Sequence, residues 1–274
     1  MENFKSTMIS NYYSYDLCNR DNLLQIFHQN TKHSNKYLMA NMYRSRLLLN
    51  NTNFKQVTSS PEKHYPLSLS YILEKHSRGE LEDLLENRRS QVTKLSKKTM
   101  LTKQSISDLF WSAYGLNLKN TRTAPSGGAL YPCEVYGIIF NDAGDLKKGL
   151  YHFVPSKNSL ELMSQKDNIF NISDYMMMDN LKYPSLIFFI TAVFDRTFFK
   201  YDARGYRYTL LEAGAIAQNI SLMATKYSKV STSIGGTDDF EVEKILGIDG
   251  INESLVNCVF LSSDGNWENS NENL

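Results

Sequence analysis

Ala124-Pro-Ser-Gly-Gly-Ala-Leu-Tyr-Pro132 sits between a helical pattern and a β pattern. Its two adjacent glycines expose backbone N–H groups with no Cβ in the way, and Ser126 adds a hydroxyl. Such a loop can lie flat against a polar ring or cradle a phosphate. By composition alone it is equally a tight turn ahead of a strand. Upstream, Ser105-Ile-Ser-Asp-Leu-Phe-Trp-Ser-Ala-Tyr-Gly115 is spaced as a helix. Ile106, Leu109, Phe110 and Ala113 share a face, Ser105 or Ser107 can cap it, and Gly115 can end it. Downstream, Glu134 to Phe140 reads as a strand, Asn141-Asp-Ala-Gly144 as a turn, and Gly149 to Val154 as the returning strand of a hairpin.

Further out, Leu186 to Phe194 is a continuous apolar run, as in a strand buried on both faces. Tyr208 to Lys229 carries the longest helical pattern, with Leu210, Ala213, Ala217, Ile220, Ala224 and Tyr227 three and four apart. Ser231 to Asp239 reads as a polar Gly-Gly loop, Glu241 to Leu246 as a short helix, and Leu255 to Ser262 as a last strand. Toward the amino terminus, Leu23 to His28 and Lys36 to Leu49 look helical, Asn50 to Pro66 reads as a loop, and Ser70 to Glu86 has room for one or two short helices. Helices, then hairpin, strand, long helix and strand predict an α+β fold: a mostly antiparallel or mixed sheet flanked by helices. No G-x-G-x-x-G follows a strand, which disfavours a Rossmann nucleotide fold.

The 274 residues allow one large domain or two small ones. With 42% hydrophobic and 22% charged residues, the chain can bury a core without covalent staples. Lys+Arg 30 against Asp+Glu 29 leaves a net charge of +1, unlike a dedicated nucleic-acid binder. Cys18, Cys133 and Cys258 are far apart and odd in number, and the five histidines form no H-E-x-x-H, so neither a disulfide framework nor a metal site is expected. Met1 to Tyr15 lacks an apolar core, and no apolar run approaches the roughly 18 residues that span a bilayer, so a cytoplasmic protein without membrane segments is expected. The organisation expected is a helical extension over 1–66, a catalytic domain over 67–263 and a tail over 264–274.

Three further motifs carry possible chemistry. Asn87-Arg-Arg-Ser90, at the end of a helical stretch, can grip a phosphate through guanidinium forks, or be a solvated helix end. Phe198-Phe-Lys-Tyr-Asp-Ala-Arg-Gly-Tyr-Arg207 sets Lys200 and Tyr201 among aromatics and other cations, where they are candidate general bases, or part of a loop of surface cations. Ile234-Gly-Gly-Thr-Asp-Asp239 is an anion nest or a turn.

Taken in order, Arg88-Arg-Ser90, Leu109-Phe-Trp-Ser-Ala-Tyr-Gly115, Pro125-Ser-Gly-Gly-Ala-Leu-Tyr-Pro132, Lys200-Tyr201 and Glu212-Ala-Gly-Ala-Ile-Ala-Gln-Asn219 resemble the SagB-type dehydrogenases, a branch of the nitroreductase-like flavoproteins. The resemblance runs from about Asn87 to Phe260 and extends to Phe27-His-Gln-Asn-Thr-Lys32. It implies a nitroreductase-like α+β sandwich, an intertwined homodimer, and FMN at the dimer interface. It also implies oxidation of thiazolines and oxazolines to azoles in a heterocycle-containing precursor peptide of a bacteriocin or toxin, beside a cyclodehydratase synthetase complex.

By that resemblance, Arg88, Arg89 and Ser90 grip the FMN phosphate and ribityl chain. Pro125, Ser126, Gly127 and Gly128, with Leu130, run along the isoalloxazine. Gln218 lines the site, Gly235 and Gly236 close on the phosphate, and Lys200 and Tyr201 match the catalytic Lys–Tyr pair. Val92 stands where many nitroreductases carry another arginine, and Ala129 where the wider family often has an amide side chain. A generic NAD(P)H-dependent nitroreductase or flavin reductase has no use for the Lys200–Tyr201 pair. That reading, a cyclic dipeptide oxidase and a non-catalytic flavoprotein scaffold are the alternatives.

Overall fold

A computed structural model describes residues 24–34, 63, 67, 69–75, 77–90, 100–176 and 184–263. The expected helix Lys36–Leu49 and the tail from Asp264 lie outside them. Residues 24–31 form α1, followed by α2 (Glu80–Asn87) and α3 (Lys103–Tyr114). Then come β1 (Cys133–Ile139), β2 (Gly149–Val154), β3 (Ser159–Ser164) and a 3-10 segment, Asp167–Tyr175. The chain continues through β4 (Leu186–Val193), α4 (Asp195–Tyr201), α5 (Arg204–Lys226), β5 (Lys229–Ser233), α6 (Asp239–Leu246) and β6 (Glu253–Ser263). No helix among the described residues is long and apolar enough to cross a membrane.

The six strands form one sheet in the order β3-β2-β1-β4-β6-β5, with every neighbouring pair antiparallel. The α+β expectation and the β1–β2 hairpin are therefore borne out. Alternation along β4 sends Leu186, Phe188 and Ile190 into one core and Ile187 and Phe189 into another. The first core is closed by α3 and α5 through Ile106, Leu109, Phe110, Ala213, Ile216 and Ile220. The second is closed by α6 and the 3-10 segment through Val242, Leu246, Ile169 and Ile172. A sheet covered on both faces accounts for the unbroken apolar run of β4.

Several local expectations are corrected. α3 is capped by Thr102, whose side chain accepts the Ser105 N–H at 3.1 Å, and not by Ser105 or Ser107. The helix begins at Lys103, so Ser105 and Ser107 lie inside its first turns and not at its cap. Thr102→Ala should lower stability by about 1 kcal/mol, read as a shift of the denaturant midpoint at unchanged slope. Of the described residues in Ser70 to Glu86, only those from Glu80 are helical. The long helix starts at Arg204 and ends at Lys226, and Lys229–Ser233 is an edge strand where a helix end and a loop were expected. Phe198 to Arg207, for which a loop of surface cations was one of the two readings, is the end of α4 and the first turn of α5.

Candidate functional site

α4 follows β4 directly, so its last residues, Lys200 and Tyr201, stand at the carboxyl end of a central strand. β1 is antiparallel to β4 and pairs Cys133 with Ala192, which brings the loop ahead of β1 to the same end of the sheet. The loop closes as a 3-10 turn, Gly127–Ala129, with Leu130 after it. Gly128 has φ +66, a left-handed conformation that glycine adopts without strain. A Cβ on Gly128 would overlap the Tyr201 hydroxyl and lie 3.0 Å from Lys200 Nζ. Loop and pair, 72 residues apart in sequence, are therefore in direct contact (128 to 200). Lys200 Nζ lies 5.2 Å from the centre of the Tyr201 ring, and that ring meets Tyr208 edge-on at 5.0 Å. Pro125 is exposed beside them, and Ser126 and Gly127 are half-buried.

The loop is held from beneath by a residue to which the sequence reading assigned no role. Glu212 on α5 is 2% exposed and accepts a hydrogen bond from the Tyr114 hydroxyl. Burial raises its pKa, opposed by hydrogen bonds from Ser126 and Tyr114. Burial and the same carboxyl also push the Tyr114 hydroxyl and the Cys133 thiol up. Ser126 Oγ in turn accepts the Tyr131 N–H at 2.9 Å, which closes the loop on itself. The Arg122 guanidinium covers the rings of Tyr114 and Tyr131 at 4.8 and 5.3 Å. A signal for Glu212 existed: it falls in phase with the buried positions 209, 216 and 220 of the helix.

A second network ties α4 to the loop. Arg196 lies 2.6 Å from Glu134 Oε1 and donates to the Tyr131 carbonyl at 3.1 Å. His152 Nε2 lies 3.0 Å from Glu134 Oε2. Burial works against ionising Glu134, but the hydrogen bonds from His152 and Arg196 outweigh it and lower its pKa. The hydrogen bond to Glu134 outweighs burial at His152 and raises the imidazole. The raised His152 stabilises the fold fully below its ordinary 6.5, and that contribution is lost as pH rises through the folded-state value. The lowered Glu134 stabilises above its ordinary 4.5 and loses the contribution on acidification. The melting-temperature difference between the wild type and His152→Phe should therefore peak between about 4.5 and 6.5 and shrink on either side.

The other expected residues are not gathered at this end. Arg88 ends α2, with its guanidinium 3.2 Å from Ser90 Oγ, and Arg89 donates to the Glu86 and Arg88 carbonyls. Arg89 lines a groove of about 960 Å³ with Met223, Thr225, Lys226, Lys229 and Val230, at the carboxyl end of α5. The loop lies against Tyr208 and Glu212 at the other end. The 13 steps from Glu212 to Thr225 amount to about 20 Å of helix. Gln218 sits between, on the exposed face of α5. Gly235 and Gly236 follow the edge strand β5, three places from β1 in the sheet.

Residues 85–261 match the model of the nitroreductase family, from just ahead of Arg88 to the end of β6. The chain belongs to the nitroreductase family. The nitroreductase-family protein MJ1384 of Methanocaldococcus jannaschii is 32% identical over 174 residues, which are 61% of this chain and 84% of that one. The microcin B17-processing protein McbC of Escherichia coli is 29% identical over 133 residues, 47% of this chain and 49% of McbC. The chain thus matches about half of McbC's own length. Among solved structures, a chain of the E. coli microcin synthetase McbBCD complex with truncated pro-MccB17 bound superposes with a TM-score of 0.65 at 23% identity, covering 79% of this chain and 82% of that one. The nitroreductase fold of this chain is thereby shown.

Proposed function

We propose that this nitroreductase-family chain is an FMN-dependent dehydrogenase that oxidises thiazolines or oxazolines in a precursor peptide to azoles. The observation that carries the reading is the contact of Lys200 and Tyr201 with Gly128 of the P-S-G-G loop. Similarity to McbC, a microcin B17-processing protein, supports a peptide substrate, and a cyclodehydratase as working partner is part of the same proposal.

The residues fit FMN. Gly127 and Gly128 lay backbone bare beside the Lys200–Tyr201 pair, where a flat polar ring can approach. Arg88, Arg89 and Ser90 offer the donors that a phosphate takes. The loop and the arginines are about 20 Å apart along α5, so one copy does not bring both ends of the cradle together. A homodimer that sets the Arg88–Ser90 segment of one copy against the loop of the other completes it.

Aromatising an azoline removes two hydrogens from adjacent ring carbons, one as a proton and one as a hydride. FMN, when bound, supplies the hydride acceptor. The proton passes to the Lys200–Tyr201 pair, which the Gly128 contact and the Tyr208 ring hold in place. The test is to purify the protein, look for the absorbance and release of FMN, and incubate it with a cyclodehydratase-treated peptide. Loss of two hydrogens per ring by mass spectrometry is expected. A colourless protein without FMN, or rapid NADPH-driven quinone reduction with no azole formed, overturns the reading.

A further inference from the structure

Residues 24–34 precede the part of the chain that matches the family model, yet they are packed against α4, which carries Lys200 and Tyr201, and the start of α5. Leu24 and His28 are four residues apart and so share one face of α1, and Lys32 follows directly after the helix. Leu24 packs on the cluster of Ala192, Phe194 and Phe198. The His28 ring meets Phe194 at 5.0 Å and Tyr206 at 5.9 Å. Phe198 and Tyr206 flank the pair, two residues before Lys200 and five after Tyr201.

The hydrogen bonds of this face run in one direction. Glu243 is buried, paired with Lys32 at 2.8 Å, and as a carboxylate it only accepts. Ser254 Oγ lies 2.6 Å from Glu243 Oε1, so the serine proton points to the carboxylate. Ser254 Oγ then accepts from His28 Nε2–H at 2.9 Å. That places the single proton of the neutral ring on Nε2 and leaves Nδ1 to accept from the Tyr206 hydroxyl at 3.2 Å. Burial and the Lys32 charge push the His28 pKa down to about 4, against the pull of Glu243, in keeping with a neutral ring.

Tyr206 belongs to the first turn of α5, and only Asp202 and Ala203 separate α5 from α4. Asp202 has φ 45 and ψ −143, a positive-φ conformation that is strained for a residue with a Cβ. So short and constrained a connection transmits a movement of Tyr206 to Tyr201. We infer that His28 is a positioning residue for the Lys200–Tyr201 pair: it tethers Tyr206 to Ser254 and so holds the α4–α5 corner in its working geometry. The inference rests on the function proposed above for its kinetic consequence, and on geometry alone for its structural one.

The test places 3-fluorotyrosine at position 201 and follows its fluorine resonance together with azole formation. His28→Ala is expected to shift and broaden that resonance and to lower kcat by about tenfold or more at unchanged KM, as displaced reacting groups do. His28→Asn keeps an acceptor for Tyr206 where Nδ1 was but no donor to Ser254, and is expected to restore the resonance and kcat in part. His28→Gln keeps a donor where Nε2–H was and is expected to restore the melting temperature alone. Tyr206→Phe, which deletes the tether without opening a cavity at His28, is expected to reproduce the resonance shift. An unchanged resonance and kcat in His28→Ala and Tyr206→Phe, with only the melting temperature lowered, overturns the inference. Equal rescue by Asn and Gln overturns it as well. A wild type that forms no azole sinks the proposed function, while the fluorine resonance still reports on the tether.

Discussion

Lys200→Ala and Tyr201→Phe are each expected to lower azole formation by about 10²–10⁴-fold, the usual worth of a positioned general base. Under the proposed function, both variants should keep the oligomeric state and the visible flavin spectrum of the wild type. The Lys200 side chain is exposed, so its truncation leaves no cavity. Tyr201→Phe removes only the hydroxyl and keeps the ring edge-on against Tyr208. The loss therefore belongs in kcat, with FMN content and melting temperature close to those of the wild type. Full activity in either variant removes that residue from the reaction. Mass spectrometry of the product peptide, with the visible spectrum of the same sample, reads both halves of the prediction.

Gly128→Ala should be nearly as damaging, for a different reason. An L residue at φ +66 costs about 1–2 kcal/mol. The new methyl also meets the Tyr201 hydroxyl, whose ring is held by Tyr208 and cannot easily swing away, whereas Lys200 Nζ is the end of a flexible chain. The loop already holds Ala129 at φ 54 and Tyr131 at φ 49, so it has little freedom left to absorb the overlap. Azole formation is expected to fall by about 10²-fold, the penalty of an ångström-scale misplacement. In a Tyr201→Phe background the methyl meets no hydroxyl, so the stability lost on Gly128→Ala should be smaller there. Denaturant midpoints of the four proteins in this cycle give the difference. An equal loss in both backgrounds means that loop and pair are not in contact.

The main elements were legible where burial imposes a pattern. β4, covered on both faces, shows it as an unbroken apolar run, and α5 shows it as small and apolar residues three and four apart. Edge strands carry no such mark. β5, Lys-Val-Ser-Thr-Ser, and β3, with half of its residues exposed, lie at the two edges of the sheet, where one side has no neighbouring strand and polar residues are tolerated. α4 carries no helical mark along the chain because its seven residues are too few to display a helical period.

The candidate site divides in the same way. The order of the motifs, the Gly-Gly pair and the adjacent Lys200 and Tyr201 could be read along the chain, because each is a local requirement of backbone freedom or reactive side chains. Their meeting could not. It depends on β1 running antiparallel to β4, which carries the end of one loop to the end of a helix 72 residues away (128 to 200). The separation of Arg88–Ser90 from the loop was equally invisible, since it is the length of α5 that holds them apart within one copy. Glu212 and His28 depend on burial too. A carboxyl acid and an imidazole acquire their roles only when other segments enclose them, and nothing in their immediate neighbours along the chain dictates which groups those will be.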